Sequence, residues 1–450
     1  MRARPFTVRP GGPLRGVLRP PGDKSITHRA CILGLLAEGE TLVRHPNEGE
    51  DCRSTLRCIE ALGAKVVVGP GLVWITGTGG RLRAPDRALD CGNSGTTLRL
   101  LAGVLAAQPF ESTLTGDDSL RGRPVDRVIA PLRRMGASLS GRDGDRYPPL
   151  VVRGGSLVPC PEELFRDRPT PSAQVASAVL LAALHAPGTS TVFTRAGARD
   201  HTVHLLRAFG VPVDHAPIAD TVRISLTGPA RPRARELQVP GDVSAAAFFL
   251  AGTATTPKAR IDVEGVDLNP TRTGFLEVME RMGARPRTVA DTAQLLGEPV
   301  GAIVVTGPER IQPTDIEPRE VPALVDEIPA WAILAAGANG VSRLRGAAEL
   351  RVKESDRLHA LAEGLTALGV LVDEVADGLD IHGGPVRGGL VRSFGDHRIA
   401  MAFAVLGTRA MGPVTIDDAS SIATTYPGFV DDLRALGGQV EIGSVAGERP

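Results

Sequence analysis

One short signature occurs six times along this chain. An amphipathic helical stretch is followed by an apolar residue, a glycine, a small residue and a β-rich run. The six copies are Leu62-Gly63-Ala64, Met135-Gly136-Ala137, Phe209-Gly210-Val211, Met282-Gly283-Ala284, Leu368-Gly369-Val370 and Leu436-Gly437-Gly438. Their glycines are spaced 73, 74, 73, 86 and 68 residues apart. Glycine at such a place ends a helix, because it enters the left-handed region at little steric cost. The Val66-Val67-Val68 run after the first copy predicts a strand.

Each copy also holds an earlier helix start. These are Asp23-Lys24-Ser25, Asn93-Ser94-Gly95, Pro171-Ser172-Ala173, Asp242-Val243-Ser244, Asp326-Glu327-Ile328-Pro329 and Asp396-His397-Arg398. All carry capping or first-turn residues ahead of apolar helical sequence. The unit is therefore helix, strand, helix, strand, six times over. Pro21-Gly22-Asp23-Lys24-Ser25 returns as Pro240-Gly241-Asp242-Val243-Ser244, an offset of 219 residues or three units of 73. Two α/β domains of three units each follow, with hinges near 21–22 and 240–241. The expected boundaries are 22–240 for one domain, and 1–21 with 241–450 for the other. The strand-like segments before residue 21 then complete the second domain.

A repeat alone suits a scaffold as well as an enzyme. The polar residues gathered at the helix starts favour chemistry. Lysine sharpens the point: only Lys24, Lys65, Lys258 and Lys353 occur among 51 basic residues. Two of the four lie in dense polar motifs, where a compact ammonium has a use that arginine does not share.

Pro21-Gly22-Asp23-Lys24-Ser25-Ile26-Thr27-His28-Arg29 puts an ammonium, a hydroxyl and a guanidinium near one helix mouth, Ser25 and Arg29 sharing a face. It lacks the glycines of a P-loop, and an ordinary capped helix with solvated charges is the alternative. In Cys91-Gly92-Asn93-Ser94-Gly95-Thr96-Thr97-Leu98-Arg99, Gly95 admits an anion close to the backbone, or the segment is a plain tight turn. Arg121 and Arg123 are closely spaced guanidiniums of one loop, a site or a solvated turn. Ser172, Ala173 and Gln174 open an apolar helix, where Ser172 is either a cap or a ligand. Arg199-Asp200-His201-Thr202 is a further polar turn.

In the second half, Asp326 is either a general base or an N-cap carboxylate. Lys353 and Arg357 are expected four apart on one helix face with Glu354 beside them, a salt-bridged surface helix being the alternative. Arg398 falls in the first turn of an apolar helix, a costly place for a charge without an anionic partner.

Taken together, PGDKSITHR, GNSGTTLR, RGRP, PSAQ, RDHT, VDEIP, RVKESDR and GDHR resemble the 5-enolpyruvylshikimate-3-phosphate synthase family, in its order and across the whole chain. The resemblance implies two domains, each of three βαβαββ repeats. It implies transfer of the enolpyruvyl group of phosphoenolpyruvate to the 5-hydroxyl of shikimate 3-phosphate, with no metal or cofactor. It assigns Lys24, Ser25, Arg29, Ser172, Ala173, Gln174, Arg199, Asp326 and Lys353 to shikimate 3-phosphate. It assigns Lys24, Gly95, Arg123, Gln174, Arg357 and Arg398 to phosphoenolpyruvate. Asp326 is the implied base, and Glu354 and Lys24 are the implied proton carriers.

Two positions depart from relatives. Thr424 stands where some members carry a lysine. Gly95 stands where glyphosate-tolerant members carry alanine, so ordinary sensitivity to glyphosate is expected. The nearest rival is the UDP-N-acetylglucosamine enolpyruvyl transferase family, which carries a reactive cysteine near the position of Asp118. A non-catalytic phosphometabolite-binding protein is the rival of another class.

Composition narrows the setting. Lys+Arg and Asp+Glu both total 51, so nothing points to nucleic acid or to a membrane surface. Five cysteines without a CxxC pair argue against a disulfide framework or a zinc site. The Met1–Phe6 segment lacks the apolar core of a signal peptide. A cytoplasmic monomer is the expectation.

Overall fold

All six signature glycines hold positive φ, between 80° and 108°. Each completes the same pair of backbone hydrogen bonds. In the first copy Gly63 N–H donates to Glu60 O at 3.0 Å and Ala64 N–H to Ile59 O at 3.1 Å. The pairs Ala137 to Leu132, Val211 to Leu206, Ala284 to Met279, Val370 to Leu365 and Gly438 to Leu433 repeat the longer bond. These are Schellman caps, which satisfy the last carbonyls of a helix and turn the chain into the next strand. In the computed structural model, which describes residues 5–170 and 172–443 (the side chain of Ala293 excepted), that strand always joins a small sheet of three or four strands.

The second repeat shows the unit plainly. Strand Leu89–Asp90 runs parallel to Glu111–Thr115, which pairs antiparallel with Tyr147–Arg153, itself paired with Ser138–Gly141. Helix Gly95–Leu105 links the first two strands, and helix Asp126–Arg134 lies between the second and third. The same βαβαββ order gives five four-stranded sheets and one three-stranded sheet among the described residues. In the three-stranded case the opening strand is reduced to a single bridge, Thr170 to Thr194. Pro171, expected at the start of the next helix, lies outside the described residues.

Contacts divide the chain into two compact units. The amino-terminal unit holds residues 22–239 and 294–298, and the carboxy-terminal unit holds the described residues of 1–21, 240–293 and 299–450. The short segment 294–298 differs from the boundaries expected from sequence. It is the tip of the hairpin between strands Arg287–Leu295 and Glu298–Thr306, with Gly297 at φ +78°, and a hairpin tip carries no repeat signal.

Strand Phe6–Arg9 sits between Val414–Ile416 and Gln439–Ile442, antiparallel to both. Arg15–Leu18 runs parallel to Arg260–Asp267. The first residues thus supply strands to two repeats of the carboxy-terminal unit. In the amino-terminal unit the strand Glu236–Gln238 plays that part, parallel to Glu40–Arg44.

One helix of each repeat is almost wholly buried. In the carboxy-terminal unit these are Val243–Ala254, Ile328–Gly337 and His397–Gly407, which pack on one another. In the amino-terminal unit they are Lys24–Leu36, Gly95–Leu105 and Ala173–Ala183. Apolar residues cover these helices on all sides, as a helix inside a core requires. Polarity gathers in their first turns, where Lys24, Ser25, Gly95, Gln174 and Arg398 lie. No helix among the described residues is long and apolar enough to cross a membrane.

Candidate active site

In the amino-terminal unit the polar helix starts form three linked groups. Asp23 caps helix Lys24–Leu36 by accepting from Ile26 N at 2.8 Å. Lys24 Nζ lies 3.0 Å from Asp51 Oδ2, with both side chains largely buried. Sequence reasoning missed Asp51, whose position in an ordinary amphipathic helix gives no signal of its own.

Arg29 is buried by its neighbours. Its Nε donates to Thr202 Oγ1 at 2.7 Å and its Nη2 to Ser177 Oγ at 3.0 Å, while Nη1 returns to Ser25 O at 2.9 Å. Thr202 lies in the first turn of helix His201–Ala208, just after Arg199, so this network ties that helix start to the first helix. Beside it His28 is fully buried, its Nδ1 2.7 Å from Thr55 Oγ1. Burial, then the charges of Lys24 and Arg29, hold its pKa well below the ordinary imidazole value, and the ring is neutral.

The third group surrounds Gly95. Ser94 caps that helix by accepting from Thr97 N at 3.1 Å. Arg99 Nη1 donates to Gln174 Oε1 at 3.0 Å, and Gln174 Nε2 donates to Thr96 Oγ1 at 2.9 Å. The carboxamide is thereby fixed at both ends. Arg123 is buried against Asn93, whose backbone O accepts from Nη1 at 3.2 Å. Arg121, by contrast, is exposed and paired with Asp118, so the two guanidiniums of RGRP part company. The residue pair straddles a helix end, and the local turn sends one side chain in and the other out. Ser172 is the cap of helix Ala173–Ala183.

In the carboxy-terminal unit one guanidinium organises the site. Arg357 is 1% exposed. Its Nε lies 2.8 Å from Asp396 Oδ2, its Nη2 2.5 Å from Glu354 Oε2 and its Nη1 3.4 Å from Asp326 Oδ1. Burial opposes its charge, but Asp396, Glu354 and Asp326 outweigh that and hold its pKa above the ordinary arginine value. Lys353 Nζ is 3.9 Å from Asp326 Oδ1 and Arg398 Nη2 is 3.9 Å from Asp326 Oδ2. Arg398 Nη1 also donates to Asp326 O at 2.8 Å.

One expectation is corrected here and one of two alternatives is set aside. Lys353 and Arg357 do not share a helix face: a 3-10 turn ends at Val352, and the helix begins at Arg357 behind its cap Asp356. Ser355 and Asp356 suit a cap better than a helix interior. Nor is Asp326 an N-cap, because helix Ile328–Gly337 follows Glu327 and no side chain caps it. The carboxylate of Asp326 is left to the three cations.

A solved EPSP synthase from Acinetobacter baumannii superposes with a TM-score of 0.84 at 39% identity, covering 98% of this chain and 100% of that one. The 3-phosphoshikimate 1-carboxyvinyltransferase of a Thermus thermophilus strain is 48% identical over 435 residues, which is 96% of this chain and 98% of the relative. That of Acidithiobacillus ferrooxidans is 47% identical over 443 residues, 98% of this chain and 99% of the relative. A model of the family described as EPSP synthase (3-phosphoshikimate 1-carboxyvinyltransferase) matches residues 8–433. The chain belongs to the EPSP synthase family.

It is accordingly a transferase of the shikimate pathway, and its reaction is enolpyruvyl transfer from phosphoenolpyruvate to shikimate 3-phosphate. The enolpyruvyl transferase NikO of Streptomyces tendae, at 16% identity and a TM-score of 0.74, shares the fold. Thr424, at the place of the lysine in some EPSP synthases, turns its hydroxyl to Ser421 O at 2.7 Å and supplies no cation. Asp118 is exposed and paired with Arg121.

Proposed function

We propose the following division of labour for the transfer. Asp326 takes the proton of the 5-hydroxyl of shikimate 3-phosphate as that oxygen attacks C2 of phosphoenolpyruvate. C3 gains a proton in the same step, giving a tetrahedral ketal. Phosphate then leaves as C3 returns a proton. Glu354 and Lys24 carry the C3 proton. The observation that carries this reading is that Arg357 holds both carboxylates, Asp326 and Glu354, at 3.4 and 2.5 Å. An addition followed by an elimination needs a base for the hydroxyl and a second group for the methylene carbon. One buried guanidinium keeps the two at fixed places.

Binding is assigned by charge and donor type. Shikimate 3-phosphate takes Lys24, Ser25, Arg29, Ser172, Ala173, Gln174, Arg199, Asp326 and Lys353. Phosphoenolpyruvate takes Lys24, Gly95, Arg123, Gln174, Arg357 and Arg398. Guanidiniums suit its carboxylate and phosphate because they bind planar anions in bidentate fashion. Glyphosate, an anion of similar charge, is proposed to compete for the same residues. The five cysteines are free and buried, which suits a reducing cytoplasm.

The test is phosphate release from phosphoenolpyruvate with shikimate 3-phosphate, alongside solvent-deuterium entry into the methylene carbon. Asp326→Asn and Glu354→Gln should each lower kcat by about 10²–10⁴-fold. Glu354→Gln should slow deuterium entry, with Lys24→Met as the comparison. Unchanged turnover in Asp326→Asn removes the base from Asp326.

A further inference from the structure

Directly after Arg199, the amino-terminal unit gathers a set of donors at the start of helix His201–Ala208 that the transfer does not use. Asp200 Oδ2 is 3.2 Å from His204 Nε2 and 3.9 Å from His215 Nε2. The ligand atoms of Asp200, His204 and Glu298 all lie within 4.8 Å of one another. Glu298 is fully buried, and its Oε1 is 2.7 Å from Nδ1 of the equally buried His201.

We propose that Asp200, His204 and Glu298, with His215 as the fourth donor, form a binding site for a divalent ion of the zinc class. Three features support it. First, the donor set is two imidazoles and two carboxylates, which suits Zn²⁺ and Co²⁺ and does not suit Ca²⁺ or Mg²⁺. Second, the spacing fits: in a tetrahedron with bonds of about 2.0 Å, neighbouring ligand atoms stand roughly 3.3 Å apart. The Asp200–His204 separation of 3.2 Å already has that length, His215 stands 3.9 Å from the same Asp200 oxygen, and Glu298 lies within 4.8 Å of the Asp200 and His204 donors. Third, Glu298 is held by His201, the kind of outer contact that orients a carboxylate ligand.

The site also has an entrance. A groove of about 730 Å³ is lined by His204, Arg207, Leu237, Leu296 and Gly297, so His204 connects the buried carboxylate with solvent. Gly297 matters to this opening: a β-carbon there would stand 3.2 Å from His204 Nδ1. Two carboxylates brought together around a buried position favour a cation. The ion anchors three segments of the amino-terminal unit: the helix start, strand Val213–Ile218 and the turn at 294–298. The inference is independent of the roles given to Asp326, Glu354 and Arg357.

The full-length chain, freed of metal with a chelator, is titrated with Co²⁺ and followed by its visible ligand-field absorption. The expected result is one Co²⁺ per chain, displaced by one equivalent of Zn²⁺, and a rise in melting temperature with Zn²⁺. His204→Ala should weaken Co²⁺ binding at least about 100-fold and abolish the Zn²⁺ shift, and His215→Ala should weaken it about 10-fold. His204→Gln, which conserves size, serves if the alanine variant does not fold. Absence of saturable binding in the unaltered chain overturns the proposal. So does binding that the His204 substitutions leave unchanged.

Discussion

Arg357 Nε and Asp396 Oδ2 are 2.8 Å apart, and neither side chain has more than 1% of its surface exposed. Asp396 also caps helix His397–Gly407 by accepting from Arg398 N at 2.9 Å. One carboxylate therefore positions two of the three arginines assigned to phosphoenolpyruvate, Arg357 through its side chain and Arg398 through the backbone. Removing Asp396 takes from the buried guanidinium one of its three carboxylates and from the helix its cap, and breaking a buried pair costs more than the pair contributes. Asp396→Ala should lower unfolding free energy by about 3–5 kcal/mol, measured by urea denaturation. A loss no larger than that of an exposed pair, such as Arg9–Glu441, would contradict this.

Gly95 is crowded from one side only. A β-carbon there would lie 2.5 Å from Arg99 Nη1 and 3.7 Å from Arg123 Nη1. The clash falls on the tip of a flexible side chain, so the fold should survive. Arg99 must shift, and with it the hydrogen bond to Gln174. Gly95→Ala should melt within a few degrees of the parent, raise KM for phosphoenolpyruvate roughly tenfold, about 1.4 kcal/mol, and weaken glyphosate inhibition by more. Unaltered KM and inhibition would show that this helix start does not face the ligand.

His28 makes stability depend on pH. In the folded chain its pKa is lowered, by burial first and then by Lys24 and Arg29, whereas the unfolded chain titrates near 6.5. Below that value the unfolded state takes up a proton that the folded state refuses. Stability is thus complete above the ordinary imidazole range and falls as pH drops below it. The slope from this residue approaches about 1.4 kcal/mol per pH unit. His28→Gln should flatten the acid side of a stability profile between pH 6.5 and 4.5 by roughly that slope, whatever it does to the plateau. An unchanged slope would refute a neutral buried His28.

The thiols should be silent in the native chain. All five cysteines are buried. Burial pushes Cys31 and Cys160 up to about 12, and Cys52 is also raised well above its ordinary value. The thiolate is the reactive form. An aromatic disulfide reagent at pH 8 should titrate no thiol in the folded chain and five after denaturation. Rapid reaction of one thiol in the folded state would place it at the surface.

The six glycine caps, the N-caps at Asp23, Ser94, Ser172, Asp242 and Asp396, and the repeat they imply were legible along the sequence. Each is a contact between residues at most five apart, so the local order of residue types sets it. The repeated helix–strand unit followed, and so did the concentration of charge at the helix starts; its βαβαββ form was what the family resemblance implied. Where the signals were not local they failed. Asp51 came to Lys24 from 27 residues away, and Gln174 to Arg99 from 75. Arg357 reached Asp326 across 31 residues, and the break after Val352 overrode the expected helical spacing of Lys353. Which buried cation meets which carboxylate depends on how whole helices pack and on the cost of leaving a charge unpaired in the core. Tertiary structure alone decided that.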